Sequence, residues 1–166
     1  LSEPLRKALE AFKGIALIGP RTDAKTAELA IPDVMGPNLP HTDVTAILTE
    51  SIPPNDKIKL QGGGKFRHWF EHLDGTADVH LTTKDGQPAI MGGDHLRYLA
   101  GWPDDATFDK IIGGLCDALD LETFALPDGL RIRDTDKQRF VFNYAPVAQK
   151  WGDTIIPAAG VHWENL

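Results

Sequence analysis

A helical pattern that runs directly into a short apolar strand most constrains the fold of this chain. Four apolar residues recur at the spacing of one helix face: Leu5, Ala8, Leu9 and Phe12. Gly14 ends this pattern, and residues 14–19 then form a continuous apolar run, which is typical of a strand buried on both faces. A helix that leads straight into a buried strand is typical of layered α/β folds. We therefore predict the α/β fold class.

The segment up to residue 122 mixes irregular stretches, short strands and two further helical patterns. Prolines interrupt residues 20–54, where one strand is predicted at 44–48. A short amphipathic helix is predicted from Phe66, Trp69, Phe70 and Leu73, which have helical spacing. Further strands are expected at 79–83, 88–91 and 95–100. Asp104 or Asp105 is expected to cap a helix that runs to about Leu119. Its inward face would carry Phe108, Ile111, Ile112, Leu115 and Leu119.

After Leu121 the helical periodicity disappears. Strands are predicted at 130–133, 139–144 and 160–163, with turns at 135–136 and 151–153. Phe140, Phe142 and Tyr144 should share one face, because side chains alternate along a strand. We therefore predict two domains: an incomplete three-layer α/β domain over residues 1–122 and a small antiparallel β module over 123–166. A module of about 40 residues is too small to be stable alone.

Charge and composition exclude several classes of partner. The 166 residues carry a net charge of −7, which disfavours nucleic acid and anionic membrane surfaces. No apolar run approaches the roughly 20 residues that span a bilayer. The chain begins with Leu1 and has no leader pattern, so we expect a processed or excised piece. The single cysteine, Cys116, excludes an internal disulfide, is expected to be a buried inert thiol, and suits a cytoplasmic location.

Several stretches, taken in order, resemble one enzyme family. They are Gly19-Pro-Arg-Thr-Asp-Ala-Lys-Thr26, Tyr98-Leu-Ala-Gly-Trp-Pro-Asp104, Leu126-Pro-Asp-Gly129, Phe140-Val-Phe-Asn-Tyr-Ala-Pro146 and Pro157-Ala-Ala-Gly160. Their order and spacing are similar to the C-terminal region of family 42 glycoside hydrolases, the β-galactosidases. The resemblance covers essentially the whole chain. It implies a glutamine-amidotransferase-like or flavodoxin-like trimerisation domain, followed by a small β domain.

The resemblance also implies that catalysis and assembly belong to different parts of the parent protein. In the family, a TIM barrel precedes this region and carries the two glutamates that hydrolyse terminal β-D-galactosides with retention. The seven glutamates of this chain are scattered and lie in no recognisable catalytic motif. We therefore assign no catalytic, cofactor or metal residues, and the chain alone is not expected to be catalytic. Its expected role is assembly of a homotrimer and support of the barrel. By the same resemblance the chain begins inside the trimerisation domain, which would leave a sheet edge or helix face uncovered.

The strongest rival interpretation is a phosphate-binding loop at Gly19–Thr26. The pattern Gly19-x-x-x-x-Ala24-Lys25-Thr26 follows a predicted strand, as such a loop requires. Ala24 replaces the second glycine, and Pro32 limits any helix that follows. The favoured interpretation is therefore that Arg21 and Lys25 anchor a loop or a subunit contact.

Three other features have a chemical and a structural interpretation. His68 and His72 have the i, i+4 spacing of metal ligands on a helix, but no third ligand is marked, which favours a solvated helix face. The run Gly62–Gly64 could cradle a phosphate, but it is better explained as a flexible turn. Trp102, Trp151 and Trp163 could form a platform for a sugar in a carbohydrate-binding module, although packing of the β module or a subunit contact is favoured.

Overall fold

The computed structural model describes residues 1–123 and 125–166. These residues form two compact units, Leu1–Leu121 and Glu122–Leu166. The elements of the first unit are α1 (Glu3–Ala11), β1 (Ala16–Ile18), β2 (Thr45–Ser51), β3 (Ile58–Lys59), β4 (Lys65–Asp74), β5 (Asp78–Thr82), β6 (Pro88–Gly92), β7 (Leu96–Leu99), β8 (Gly101–Pro103) and α2 (Asp105–Ala118). Those of the second are β9 (Leu130–Asp134), β10 (Gln138–Asn143), β11 (Gln149–Trp151), β12 (Thr154–Ile156) and β13 (Val161–Asn165).

Two small sheets make up the first unit. One has the order β1-β7-β6-β5, in which β1 runs parallel to β7 and the other pairs are antiparallel. The second has the order β2-β4-β3, and β8 also pairs with β4. A single apolar core contains residues of both sheets, including Phe66 and Phe70 of β4 and Tyr98 of β7, each at most 1% exposed. Burial of these aromatic side chains supplies much of the hydrophobic stabilisation of this unit.

The predicted three-layer α/β arrangement is not supported. The described residues contain two helices and thirteen strands, and β1 with β7 is the one parallel pair among them. Tight turns connect most neighbouring strands, and a two-strand hairpin is antiparallel by necessity. Helix α1 buries none of its residues, and helix α2 buries only Thr107. Helices therefore do not cover both faces of a parallel sheet, as a doubly wound domain requires.

The helix predicted over residues 66–73 is wrong, because this segment forms the long strand β4. Phe66 and Phe70 are four residues apart, a spacing that satisfies the period of a helix and also the period of a strand. A bulge interrupts the pairing of β4 with β8 between Arg67 and Phe70, and His68 within it has a φ of 69°. The irregular strand thus imitates helical spacing in its apolar residues.

Helix α2 begins where the sequence predicted. Asp104 is its N-cap, and its carboxylate accepts hydrogen bonds from the backbone N–H and the hydroxyl of Thr107. The hydrogen bond from the Thr107 hydroxyl, followed by the interaction with Lys65, lowers the pKa of Asp104 to about 2. The predicted inward face of α2 is found in part: Ile111 packs against the core, whereas Phe108 is 46% exposed and Leu119 is 39% exposed.

The second unit is antiparallel, as its sequence predicted. Strand β10 lies between β9 and β13, and β11 pairs with β12. The rings of Phe140, Phe142 and Tyr144 stack in a row with centroids 6.3 and 6.2 Å apart, which confirms that they share one face. Its small core consists of Leu130, Val141 and Ile156. The hairpin β11–β12 was not predicted, although the turn at 151–153 that joins its strands was.

Candidate functional site

The Gly19–Thr26 loop is held against the second sheet of the first unit by Arg21. The backbone N–H of Arg21 donates a 3.1 Å hydrogen bond to Oε2 of Glu71 on β4. The guanidinium Nη1 donates to Oγ1 of Thr49 on β2 at 2.7 Å and lies 3.8 Å from Oε1 of Glu71. Arg21 adopts a φ of 67°, which is uncommon for residues other than glycine. In this conformation its backbone N–H and its guanidinium both lie near the carboxylate of Glu71. The prediction that Arg21 and Lys25 anchor a loop or a subunit contact thus holds for Arg21 and the loop, and not for Lys25.

Glu71 is a buried carboxylate at the centre of this contact. It is 2% exposed, and its Oε2 also accepts a 2.5 Å hydrogen bond from the hydroxyl of Tyr98. The hydroxyl of Thr49 donates to Oε1 at 3.3 Å. Burial raises the pKa of the Tyr98 hydroxyl, and the hydrogen bond to Glu71 and its negative charge raise it further. Each oxygen of the carboxylate therefore has partners, as a buried charge requires.

The cluster lies where the Gly19–Thr26 loop leaves the first sheet and meets the second. The loop follows the carboxyl end of β1, and Tyr98 lies opposite Ile18 in its parallel neighbour β7. A cavity of about 260 Å³ adjoins the cluster and is lined by Arg21, Lys25, Thr49 and Glu71, among others. Because Glu71 and Thr49 are occupied with protein partners, the cluster acts mainly as a support for the loop.

The loop does not have the geometry of a phosphate-binding loop. The Thr26 backbone N–H donates to the carbonyl of Ala30, and the Thr26 hydroxyl accepts from the Ala30 N–H at 3.2 Å. These bonds close a local turn, and within the described chain no helix follows before β2. Lys25 lines the cavity but makes no hydrogen bond or ion pair with any described residue. The helix N-terminus that would hold a phosphate is therefore missing from this loop.

The histidine pair does not form a metal site. His68 and His72 lie on strand β4 instead of on a helix, and the ring of His72 packs against Phe70 with centroids 5.1 Å apart. His72 Nε2 lies 3.6 Å from a carboxylate oxygen of Glu50. Among residues 1–123 and 125–166, no group of three His, Cys, Asp or Glu side chains could hold a metal. Cys116 is half-buried, so the prediction of a buried thiol is wrong.

The three predicted tryptophans are divided between the two units. Trp102 on β8 and Trp163 on β13 belong to different units and are 51% and 56% exposed. Trp151 packs against the core of the second unit. Trp102 instead meets Trp69 of β4 edge to face, with ring centroids 6.3 Å apart and an interplanar angle of 88°. Sequence reasoning missed Trp69 because it placed that residue on a helix.

Exposed large apolar side chains occur in several parts of the first unit, among them the segment with Leu29, Ile31, Val34 and Met35 and the two helices. Leu5 and Phe12 on or beside α1 are 47% and 49% exposed, and Phe108 on α2 is exposed to a similar degree. Exposed large apolar side chains on an otherwise polar surface are typical of protein–protein contacts. Neither helix in the described part of the chain has the length and apolarity needed to cross a membrane.

Comparison with known proteins points to one enzyme family. No family model matches the chain. Over 150 residues the chain is 33% identical to a β-galactosidase of Thermus thermophilus, and over 147 residues it is 32% identical to β-galactosidase BgaA of a Thermus species. Each match covers 86% of this chain but only 23% of the relative. The chain therefore spans about a quarter of the length of these curated relatives.

Solved structures agree with the sequence matches. The β-galactosidase of the psychrophilic Marinomonas ef1 superposes with a TM-score of 0.81 at 26% identity, over 98% of this chain and 27% of that one. Gan42B, a GH42 β-galactosidase from G. stearothermophilus, has the same fold with a TM-score of 0.74 at 14% identity, over 99% of this chain and 30% of that one. The predicted resemblance is thus confirmed, and the chain is a relative of one segment, about a quarter in length, of the family 42 β-galactosidases.

Proposed function

We propose that this chain is the non-catalytic C-terminal part of a family 42 β-galactosidase, where it assembles the oligomer and supports the catalytic barrel. The observation that carries this proposal is the match of 86% of the chain to 23% of a β-galactosidase. Residues 1–122 would form the trimerisation-type domain and residues 123–166 the small β domain. The catalytic glutamates and the hydrolysis of β-D-galactosides would belong to the barrel, and the protein would work in the cytoplasm.

The exposed apolar side chains of α1 and α2 support the assembly role. In a homotrimer these helices would bury Phe12 and Phe108 against a neighbouring copy or against the barrel. Burial of one such ring contributes on the order of 2 kcal/mol, so a few of them can hold a subunit interface. Glu71 and Arg21 would fix the Gly19–Thr26 loop, so that the surface beside it has a single conformation.

Light scattering across a dilution series tests this proposal. We expect a mass close to three times 18.2 kDa that persists on dilution. Phe12→Ser and Phe108→Ser should lower that mass, whereas Val147→Ser, at an exposed position of the second unit, should not. A monomer at every concentration would refute assembly by this chain alone.

An activity assay tests the non-catalytic role. Hydrolysis of a nitrophenyl galactoside should require a separately produced barrel, and activity of the chain by itself would contradict this role.

A second candidate function is galactoside binding at the pair Trp69 and Trp102. The two exposed indoles meet edge to face and leave ring surface on which a pyranose can stack. Tryptophan fluorescence should be quenched by galactose or lactose, and Trp102→Ala should abolish the quenching. Trp163→Ala is the control, because Trp163 lies in the other unit. Quenching that survives Trp102→Ala would exclude this site.

A further inference from the structure

Four lysines converge on one cavity of the first unit. The cavity has a volume of about 380 Å³ and is lined by Lys57, Lys59, Lys65 and Lys110, together with Asp104 and residues of the Gly62–Gly64 turn. The chain as a whole carries a net charge of −7, so this concentration of positive charge runs against its overall balance. Since concave basic surfaces attract anions, the cavity has the electrostatic character of an anion site.

The lysines are arranged at a cost to stability. Lys59 of β3 lies directly opposite Lys65 of β4 in the antiparallel register. On the other side, the carbonyl of Lys59 accepts a 2.8 Å hydrogen bond from the backbone N–H of Lys84, which brings the backbone of a third lysine next to it. Like charges directly opposite each other destabilise a strand pair. A strand pair that breaks this local rule is expected most often at a functional site.

The cavity contains too little negative charge to compensate these lysines. Asp104 is the one carboxylate among its lining residues, and it is already engaged by Lys65 at 3.1 Å and by Arg67 at 4.0 Å. Lys110 donates a 2.5 Å hydrogen bond to the carbonyl of Gly62. Lys57 and Lys59 form no hydrogen bond or ion pair through their side chains with the described residues. Two ammonium groups are therefore available to a ligand.

The Gly62–Gly64 turn and the first turn of α2 complete the wall of the cavity. The glycines of the Gly62–Gly64 turn have φ values of 74°, 96° and 94°, a conformation that favours glycine. The N-terminus of the 14-residue helix α2 lies at the same cavity, which Ala106 and Thr107 of its first turn help to line. The carboxylate of Asp104 already caps this helix terminus, so the preference for an anion comes from the lysines. The Gly62–Gly64 turn is therefore part of a basic pocket and not only a flexible connection.

We propose that the cavity lined by Lys57, Lys59, Lys65 and Lys110 binds a small anion with at least two negative charges, of the phosphate-ester or pyrophosphate class. The site is separate from the Gly19–Thr26 loop and does not depend on the assembly role. A compact polyanion would bridge Lys57 and Lys59 and relieve their repulsion with Lys65. The ligand would stabilise the first unit because it binds the folded state alone.

Calorimetric titration of the 166-residue chain with pyrophosphate at constant ionic strength tests this site. We expect saturable binding of one pyrophosphate per chain. Lys59→Met, which keeps the length of the side chain and removes its charge, should weaken binding about tenfold. Lys59→Arg should retain most of the affinity. Lys150→Met, at an exposed position of the second unit, should leave it unchanged. Heat changes reproduced by sodium chloride, or an equal loss in Lys150→Met, would overturn the proposal.

A thermal melt supplies a second test, because Lys59→Met should raise Tm without ligand although it weakens binding of pyrophosphate. Without ligand, Lys59→Met should raise Tm, because it removes the repulsion with Lys65. With saturating pyrophosphate, the wild-type chain should gain more in Tm than Lys59→Met. A variant that lowers Tm in both conditions would show that Lys59 is merely structural. Tighter binding of an aspartate pentapeptide than of pyrophosphate would assign the surface to an acidic protein segment, and would also overturn the proposal.

Discussion

The hydroxyl of Tyr98 donates a 2.5 Å hydrogen bond to the carboxylate of Glu71, and both side chains are almost completely buried. Tyr98 lies on β7 in the sheet that contains β1, whereas Glu71 lies on β4 in the other sheet. The bond therefore joins the two sheets of the first unit. Glu71 also accepts a hydrogen bond from the backbone N–H of Arg21, so the same carboxylate holds the Gly19–Thr26 loop against the two sheets.

Tyr98→Phe should destabilise the chain by about 1–3 kcal/mol, since it removes one donor from a buried carboxylate and leaves the apolar packing nearly intact. Urea unfolding measures the change as a lower midpoint. Tyr144→Phe is the matched control, because Tyr144 is 71% exposed and its hydroxyl has no partner among the described residues. Equal midpoints for Tyr98→Phe and the wild type would mean that this bond contributes nothing to stability.

Glu71→Gln should loosen the Gly19–Thr26 loop more than it changes the rest of the unit. The amide side chain has one acceptor oxygen in place of two, so it cannot accept from Arg21, Thr49 and Tyr98 in the same geometry. Hydrogen exchange should accelerate most at the backbone amide of Arg21. Glu50→Gln is a suitable control, because Glu50 on β2 is exposed. Unchanged protection at Arg21 would argue that other contacts hold the loop.

The charge of Asp104 should contribute to stability in a pH-dependent way. Its pKa is lowered from 3.8 to about 2, first by the Thr107 hydroxyl and then by Lys65. A depressed carboxyl pKa contributes stability that is fully present well above pH 3.8 and is lost as the pH falls towards 2. Asn is also a good N-cap, so Asp104→Asn removes the charge and retains the cap.

Urea midpoints between neutral pH and about pH 2 check this prediction. The stability difference between the wild type and Asp104→Asn should be constant near neutral pH and should shrink on acidification. A difference that stays constant down to the lowest pH would contradict the prediction.

Asn143→Ala should destabilise the second unit by about 2–3 kcal/mol. The buried amide of Asn143 donates to the carbonyls of Val147, Ile156 and Pro157 and accepts from the N–H of Ala145. Its loss would leave these backbone groups without a buried partner. The near-ultraviolet signal of Trp151, which packs on the same core, reports the effect. Asn165→Ala, at an exposed position of β13, is the control and should be nearly neutral.

Structural features that depend on neighbouring residues could be predicted from the sequence, whereas features that depend on the pairing of distant strands could not. The cap at Asp104 and the alternation of Phe140, Phe142 and Tyr144 depend on neighbouring residues alone, and both are confirmed. The strand β4 was mistaken for a helix because a bulge at His68 changes its period, and a bulge is fixed by pairing with distant strands. The three-layer expectation failed for a related reason, because sheet order depends on long-range pairing that periodicity does not encode.

The sequence by itself determined the relationship to β-galactosidases and the role of Arg21 as an anchor. Both depend on residue identity in a fixed order along the chain. Only the tertiary structure brought Glu71 to Arg21 and Tyr98, Trp69 to Trp102, and Lys59 to Lys65. Most of these contacts join residues far apart in sequence, and the bulged register of β4 decides which of its side chains face the core. That register is set by the burial of Phe66 and Phe70, which only the assembled sheets provide.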